Sequence, residues 1–361
     1  MQKTVLRLAI PLMAMMLACN LLKPAPANPV ATNPPKPTDT ATDAPAPRPT
    51  PTPLPTDLVW FGPNMGSLDY AELFTKPEQW SVARSRINVF KFYTQNVLPY
   101  PCTICGNNTL GTFVQAKAFQ TLTEWGIPID VDVGALKEWG CTGTEEFRVA
   151  EETIRNIRAN GGDVTFFDMD EPYMGGELTA NGKSCGYTMQ ESAEVTAKFM
   201  RLVKGAYPNI IVGNTEPYPY FSVFELERWI EALEARGTTP AFFHLDVNML
   251  EGGALHDTGR VSSDLQTLSQ FFQAHQIPFG VIFTANTNWS AASNRAYFDA
   301  TMQWIRLVND AIGKPQHVIF NSWLGPAPSG AHEFPINLPE NDPSEYSHTR
   351  LILEGLDVFG Q

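Results

Sequence analysis

The chain has 361 residues and a formal net charge of −13, from 25 Lys and Arg against 38 Asp and Glu. No basic stripe interrupts that excess, which excludes nucleic acid as a partner. Between residues 20 and 56 lie 12 of the 30 prolines, and the roughly 305 residues beyond suit one large α/β domain.

Residues 1–18 open with Lys3 and Arg7, pass through an apolar run from Leu8 to Leu17 and end on Ala18 before Cys19. A basic head, an apolar middle and a small residue before the cut describe a secretory signal peptide. The run is too short to span a bilayer as a mature helix. The Leu17-Ala18-Cys19 ending resembles a bacterial lipoprotein signal, with Met16 standing where a leucine is usual. The resemblance implies Cys19 as the lipidated first residue, a cell-surface location, and membrane contact through that lipid alone. Residues 19–56 form a Pro/Thr-rich linker. Its stretch Ala44-Pro-Ala-Pro-Arg-Pro-Thr-Pro-Thr-Pro-Leu-Pro55 cannot bury a core. Proline keeps such a segment extended, so it reads as a stalk.

Residues 57–361 carry four cysteines: Cys102, Cys105, Cys141 and Cys185. An even count in an exported chain points to two disulfides, with three pairings possible. Cys102 with Cys105 and Cys141 with Cys185 is the favoured pairing. The spacing after Cys105 fits no common zinc pattern.

From Asp57 onward, short apolar runs alternate with longer amphipathic ones. Strands are expected at 58–61, 87–92, 127–133, 164–169, 210–213, 241–247, 279–283 and 317–320, each rich in β-branched or aromatic residues and bounded by turn residues. Helices are expected over 146–159, after the capping boxes Thr188-Met-Gln-Glu191 and Ser222-Val-Phe-Glu225, and over 265–275, 295–312 and 344–356. Eight such alternations predict a single-domain (β/α)8 TIM barrel. A doubly wound open sheet would want a glycine-rich phosphate turn after the first strand. Phe61-Gly-Pro-Asn-Met-Gly-Ser67 does not supply one.

In such barrels the active site lies at the carboxyl ends of the strands. Taken strand by strand, those ends give a polar crown: Asn64; Lys91, Tyr93 and Gln95; Asp130 and Asp132; Asp168, Asp170 and Glu171; Asn214 and Glu216; His244, Asp246 and Asn248; Asn286, Asn288 and Trp289; Asn321 and Trp323. Taken singly, an asparagine opening a loop is an ordinary turn residue, and Lys91 could merely neutralise one aspartate. Together, carboxylates, amides and flat aromatics make a sugar-binding surface. Hydroxyls pair with acids and amides, and pyranose faces stack on rings such as Trp323, Tyr173, Tyr218 or Tyr220. The fourth strand stands out: Val164-Thr-Phe-Phe-Asp168-Met-Asp170-Glu171-Pro172 ends an apolar run in three crowded carboxylates. Crowding raises one pKa and leaves another group ionised, as general acid and base work requires.

Asp170-Glu171-Pro172 closing the fourth strand resembles the Asn-Glu-Pro of the retaining (β/α)8 glycoside hydrolases of clan A. Trp323 is similar to the tryptophan those enzymes place under the reacting sugar. The resemblance implies Glu171 as proton donor to the leaving oxygen, with Asp170 in the place of the sugar-contacting asparagine. It implies an O-glycosyl hydrolase needing no cofactor or metal and acting on a polysaccharide or oligosaccharide. Asn64, Lys91, Tyr93, Asp132, Asp168, Tyr173, Asn214, His244, Asn286 and Trp323 are expected to contact substrate. A monomer is expected.

The seventh strand departs from that clan, because Phe283-Thr-Ala-Asn286-Thr-Asn288-Trp289 carries no carboxylate. A second acid would then come from Glu216 or Asp246, separated from Glu171 by roughly 6.5–9.5 Å for inversion or roughly 5–5.5 Å for retention. Alternatively Asp170 orients a substrate acetamido group that itself attacks, as in the hexosaminidase and chitinase pattern. Two further classes remain: a glycan-binding surface lipoprotein without catalysis, and a metal-dependent barrel hydrolase using the rim carboxylates and His244.

Overall fold

The structure, a computed structural model, describes residues 56–136, 139–177, 185–247, 257–285, 293–323 and 334–361. Cys19 and the stalk through residue 55, and Asn248, Asn286, Asn288 and Trp289 of the rim, lie outside the described residues.

Eight strands, β1 (Leu58–Gly62), β2 (Val89–Tyr93), β3 (Ile129–Val133), β4 (Val164–Asp170), β5 (Ile211–Tyr218), β6 (Phe243–Val247), β7 (Phe279–Phe283) and β8 (His317–Asn321), close into a parallel barrel in sequence order. The expected (β/α)8 architecture is the observed one. Helices α1 (Glu72–Thr75) and α2 (Ser81–Arg86) follow β1. After β2 come α3 (Thr94–Val97), α4 (Leu110–Gln115) and α5 (Ala118–Trp125), and α6 (Thr144–Ala159) follows β3. Next are α7 (Pro172–Glu177), α8 (Met189–Ala206), α9 (Val223–Glu234), α10 (Thr258–Ala274), α11 (Asn294–Ile312) and α12 (His348–Val358). Among the described residues, no helix is long and apolar enough to cross a membrane.

Both expected capping boxes form, Thr188 with Glu191 and Ser222 with Glu225. Helix α10 begins seven residues before the expected start, because Val261 is the single apolar residue of its first two turns. Strand β5 runs five residues past its expected end, through Glu216-Pro217-Tyr218, since β4 pairs with it to Thr215 and β6 to Tyr218.

Parity along each strand decides the barrel's inside and outside. Outward residues such as Phe90, Phe92, Val131, Phe167, Met169, Leu245 and Phe283 pack under the helices in the main core. Inward ones split by height. The lower interior is an apolar plug of Leu58, Trp60, Val89, Phe166, Phe242, Ile282 and Ile319, in which Trp60 lies 4.9 Å from Phe166 and 5.1 Å from Phe242. Gly213 makes room for this plug, since a Cβ there would sit 2.0 Å from the Phe242 ring. Truncating such a ring costs about 3–5 kcal/mol. Above the plug the inward positions turn polar, which barrel interiors seldom do.

The first and last units are latched together. Asp69 accepts the backbone N–H groups of Asn337 and Leu338 and the Asn337 side chain. Glu340 takes the Val82 and Ala83 N–H groups of α2. Disulfides join Cys102 to Cys105 and Cys141 to Cys185, the favoured pairing.

Candidate active site

Lys91, the middle residue of β2, points into the barrel and is fully buried. Its ammonium lies 2.7 Å from Asp168 Oδ2, 3.1 Å from Asp132 Oδ2 and 3.8 Å from Asp130 Oδ2. Asp168 also accepts from Thr215 Oγ1 at 2.8 Å, and its Oδ2 meets His244 Nδ1 at 2.8 Å. Burial alone would raise the Asp168 carboxyl, but Lys91 and His244 hold it well below the usual carboxylate range. Burial also depresses Lys91, and the three aspartates more than reverse that. Asp130 and Asp132 are pushed well up, by burial first, against the pull of Lys91. The interior therefore carries one tight ion pair, Lys91 with Asp168, flanked by two carboxyls whose burial disfavours their ionisation.

Burial lowers His244 as well. An ionised Asp168 only accepts, so a neutral His244 places its proton on Nδ1. Its Nε2 then accepts from His317 Nδ1, 3.0 Å away. Gly280 permits this histidine pair, because a Cβ there would come within 2.6 Å of His244 and 2.8 Å of His317. With no exposed surface, Lys91, Asp168 and His244 cannot touch a substrate. Their assignment as substrate contacts is corrected to a buried network beneath the mouth. The lysine fills the space between the aspartates that a metal ion would need, and no three His, Cys, Asp or Glu side chains among the described residues form a metal cage.

The β4 corner is built differently. Asp170 continues the inward parity of Phe166 and Asp168 and is partly exposed. Glu171 then adopts φ 47°, in the left-handed region, and is 5% exposed. That conformation costs a glutamate on the order of 1 kcal/mol. Its backbone is held on both sides, by Glu171 N–H to Thr215 O at 3.0 Å and Gly175 N–H to Glu171 O at 2.8 Å. Pro172 opens α7, where its fixed φ and missing N–H cost nothing.

Glu216 is on the outer face of β5. Its carboxylate receives the N–H groups of Tyr173 at 2.8 Å and Met174 at 3.3 Å, plus Asn214 Nδ2 at 3.3 Å. Asn214 in turn accepts from Trp229 Nε1 of α9 at 2.6 Å. The Tyr173 ring stacks 4.0 Å from Phe221 and 5.1 Å from Trp229. Three expected site residues are thus corrected. Glu216 holds the first turn of α7 rather than facing Glu171 across the mouth, and Asn214 and Tyr173 pack beneath the helices. Burial pushes Glu216 well above the usual range; the Tyr173 N–H opposes this, and nearby Glu171 reinforces it. Asn64 is corrected too: it is buried, donates to Phe334 O and accepts from Gly66 N–H, so it shapes the first loop.

What faces the opening is a smaller set. Asp132 is 12% exposed. Asp246 follows His244 on the inward parity of β6 and is partly exposed. Tyr93 directs its hydroxyl to Asn321 Oδ1 and Ser322 O. Trp323 is half-buried, packed against Met65, Tyr93 and the Cys102–Cys105 bridge and against the interior plug. Thr215 and His317 did not figure in the sequence reading; inward parity on β5 and β8 is the signal that finds them.

No family model and no curated protein matches the chain. Solved structures do. The GH53 catalytic domain of Ignisphaera aggregans aligns with a TM-score of 0.50 and 11% identity, over 85% of this chain and 96% of its own. Active domain 2 of chitinase from Pyrococcus furiosus gives 0.48 and 14%, over 86% and 98%. A putative phosphonomutase from Burkholderia cenocepacia gives 0.42 and 11%, over 73% and 86%. At 11% identity the likeness to the GH53 domain is one of architecture alone, that of the barrel described above.

Proposed function

We propose that the protein is a glycoside hydrolase acting on a polysaccharide or oligosaccharide, with Glu171 as proton donor. The observation that carries this reading is the strained Glu171. A glutamate held at positive φ, nearly buried and beside a second acid, at the carboxyl end of a barrel strand is an expensive arrangement. Strain of this kind collects at functional sites. Asp170 lies beside it, Trp323 offers a flat ring, and Asp246 on β6 is the inward-facing candidate for the second acid in place of Glu216. The barrel neighbours that are glycosidases agree with the reading in architecture. The leader implies export and anchoring at the cell surface through Cys19, with the stalk as spacer.

Reducing-end release from a panel of β-glucan, mannan, galactan and chitin-type polysaccharides tests the proposal. Release by the wild type that is abolished in Glu171→Gln supports it. The glycan-receptor reading draws on a different observation, the commitment of Glu216 to α7. Binding without release, unaltered by Glu171→Gln, would favour that reading.

A further inference from the structure

Disulfides stabilise chiefly by constraining the unfolded chain, and the shorter the loop they close, the less they contribute. Cys102 and Cys105 are three residues apart, against 44 for Cys141 and Cys185. The first bridge therefore needs a reason beyond holding the barrel together, and its surroundings supply one. Cys105 is buried in a cluster with Met65 and Tyr93, and both Cys102 and the half-buried Trp323 pack against that cluster. Trp323 also packs against the interior plug, which sets its ring over the barrel interior and not under the helices. The backbone leading to the ring is pinned at successive polar groups. Asn321 O accepts from Tyr297 Oη at 3.0 Å, Ser322 N–H donates to Gly62 O at 3.1 Å, and Ser322 O lies 2.7 Å from Tyr93 Oη. The same Tyr93 hydroxyl meets Asn321 Oδ1 at 2.8 Å. Gly62 clears the space for that amide, since a Cβ there would collide with Oδ1.

We propose that the Cys102–Cys105 bridge and Tyr93 are positioning elements of the mouth, acting through Trp323. The bridge backs the ring, the Tyr93 hydroxyl fixes the peptide before it, and together they hold the ring as a platform for the face of a substrate sugar. The proposal rests on the mouth being a sugar site. Strand β8 ends at Asn321, so Trp323 stands two residues beyond the point where strand pairing fixes the chain. Without a frame, a long side chain in that place would have to be ordered whenever a sugar bound, and stacking would be weakened by the lost rotamer freedom. Tyr93 is 5% exposed and its hydroxyl is committed to the end of β8, so it serves the substrate through the ring rather than by touching it.

Fluorine NMR of the full chain grown with fluorotryptophan, with the Trp323 signal assigned by its loss in Trp323→Phe, tests the frame. In Tyr93→Phe, and in the paired variant Cys102→Ala with Cys105→Ala, the Trp323 signal is expected to move by more than its linewidth. Those of Trp229 and Trp304, under the helices, should stay. A Trp323 signal that ignores both variants overturns the proposal. The functional arm measures kcat and KM on whichever of β-glucan, mannan, galactan or chitin oligomers the wild type cleaves. Each variant should raise KM about three- to tenfold, the scale of a ring-stacking contact, with the smaller change in kcat. In a Trp323→Ala background neither should cost anything further. Losses that add in full to that of Trp323→Ala, or that fall on Tm alone, overturn the proposal. Should the paired variant not fold, opening the bridge with dithiothreitol in a folded Cys141→Ala, Cys185→Ala chain replaces it. If the wild type cleaves nothing, the hydrolase reading fails by itself and the Trp323 signal still decides whether the frame holds the ring.

Discussion

Glu-Pro occurs twice at the rim, as Glu171-Pro172 just after β4 and as Glu216-Pro217 near the end of β5; the register places Asp170 opposite Thr215, so Glu171 and Glu216 occupy equivalent steps. The outcomes differ completely. Pro217 stays in the strand opposite Asp246, so Glu216 keeps strand parity and points outward to the α7 backbone. Pro172 begins a helix, so Glu171 must turn through a left-handed conformation. One dipeptide thus yields an anchor in one place and a strained acid in the other. The backbone after the glutamate decides which, and the anchor helps to hold the strained corner.

The largest separation between the corners is expected in catalysis. Glu171→Gln should lower kcat/KM about 10²–10⁴-fold with little change in Tm, as measured on the cleaved polysaccharide. Equal activity in variant and wild type would remove Glu171 from the chemistry. Glu216→Ala should act first on stability. It leaves two N–H groups of α7 without their acceptor, a loss of about 2–4 kcal/mol readable by urea denaturation. A variant as stable as the wild type would show that Glu216 is no anchor. Glu171→Gly sharpens the contrast from the other side. Relief of the positive φ should raise stability by about 1 kcal/mol, while activity is lost. A last effect, confined to acid pH, lies away from both corners.

That effect comes from His348 on α12, which is buried 5.1 Å from the Phe61 ring and lowered by burial to about 3. The unfolded chain takes up this proton near the ordinary histidine value, so stability falls as pH drops below about 6.5. The loss continues down to about 3. His348→Phe should flatten the Tm-against-pH curve over that window, by about 3 kcal/mol at pH 4.5. An unchanged curve would mean that other groups set the acid limb.

Much of this architecture is legible in the sequence because parallel strands covered on both faces read as apolar runs, and eight such runs alternate with helices. The β4 corner is legible too, since three carboxylates end an apolar run. The site is less so, because side-chain direction depends on strand limits to a single residue. Lys91 sits two steps short of the end of β2, where it is sealed in. Glu216 looks like a rim residue only if β5 stops at Gly213, and proline within a strand argues for that stop. The actual β5 tolerates Pro217, and parity then sends Glu216 outward. Asn64 and Tyr173 are polar or amphipathic residues whose partners, Phe334 and Trp229, are distant in sequence. No local pattern could have announced them.

The latch between the first and last units bears on mechanics. Whatever precedes residue 56 joins the barrel through β1, which is paired with β8 from Leu58 to Gly62 and with β2 at Trp60 and Phe61. A pull along the strand direction would load these ladders in parallel rather than peel them one bond at a time. The Asp69 and Glu340 carboxylates tie the segment after β8 to the loop and the helix α2 that follow β1. The strand that would receive any pull from the N-terminal side is thus paired on both edges and backed by the chain's last segment.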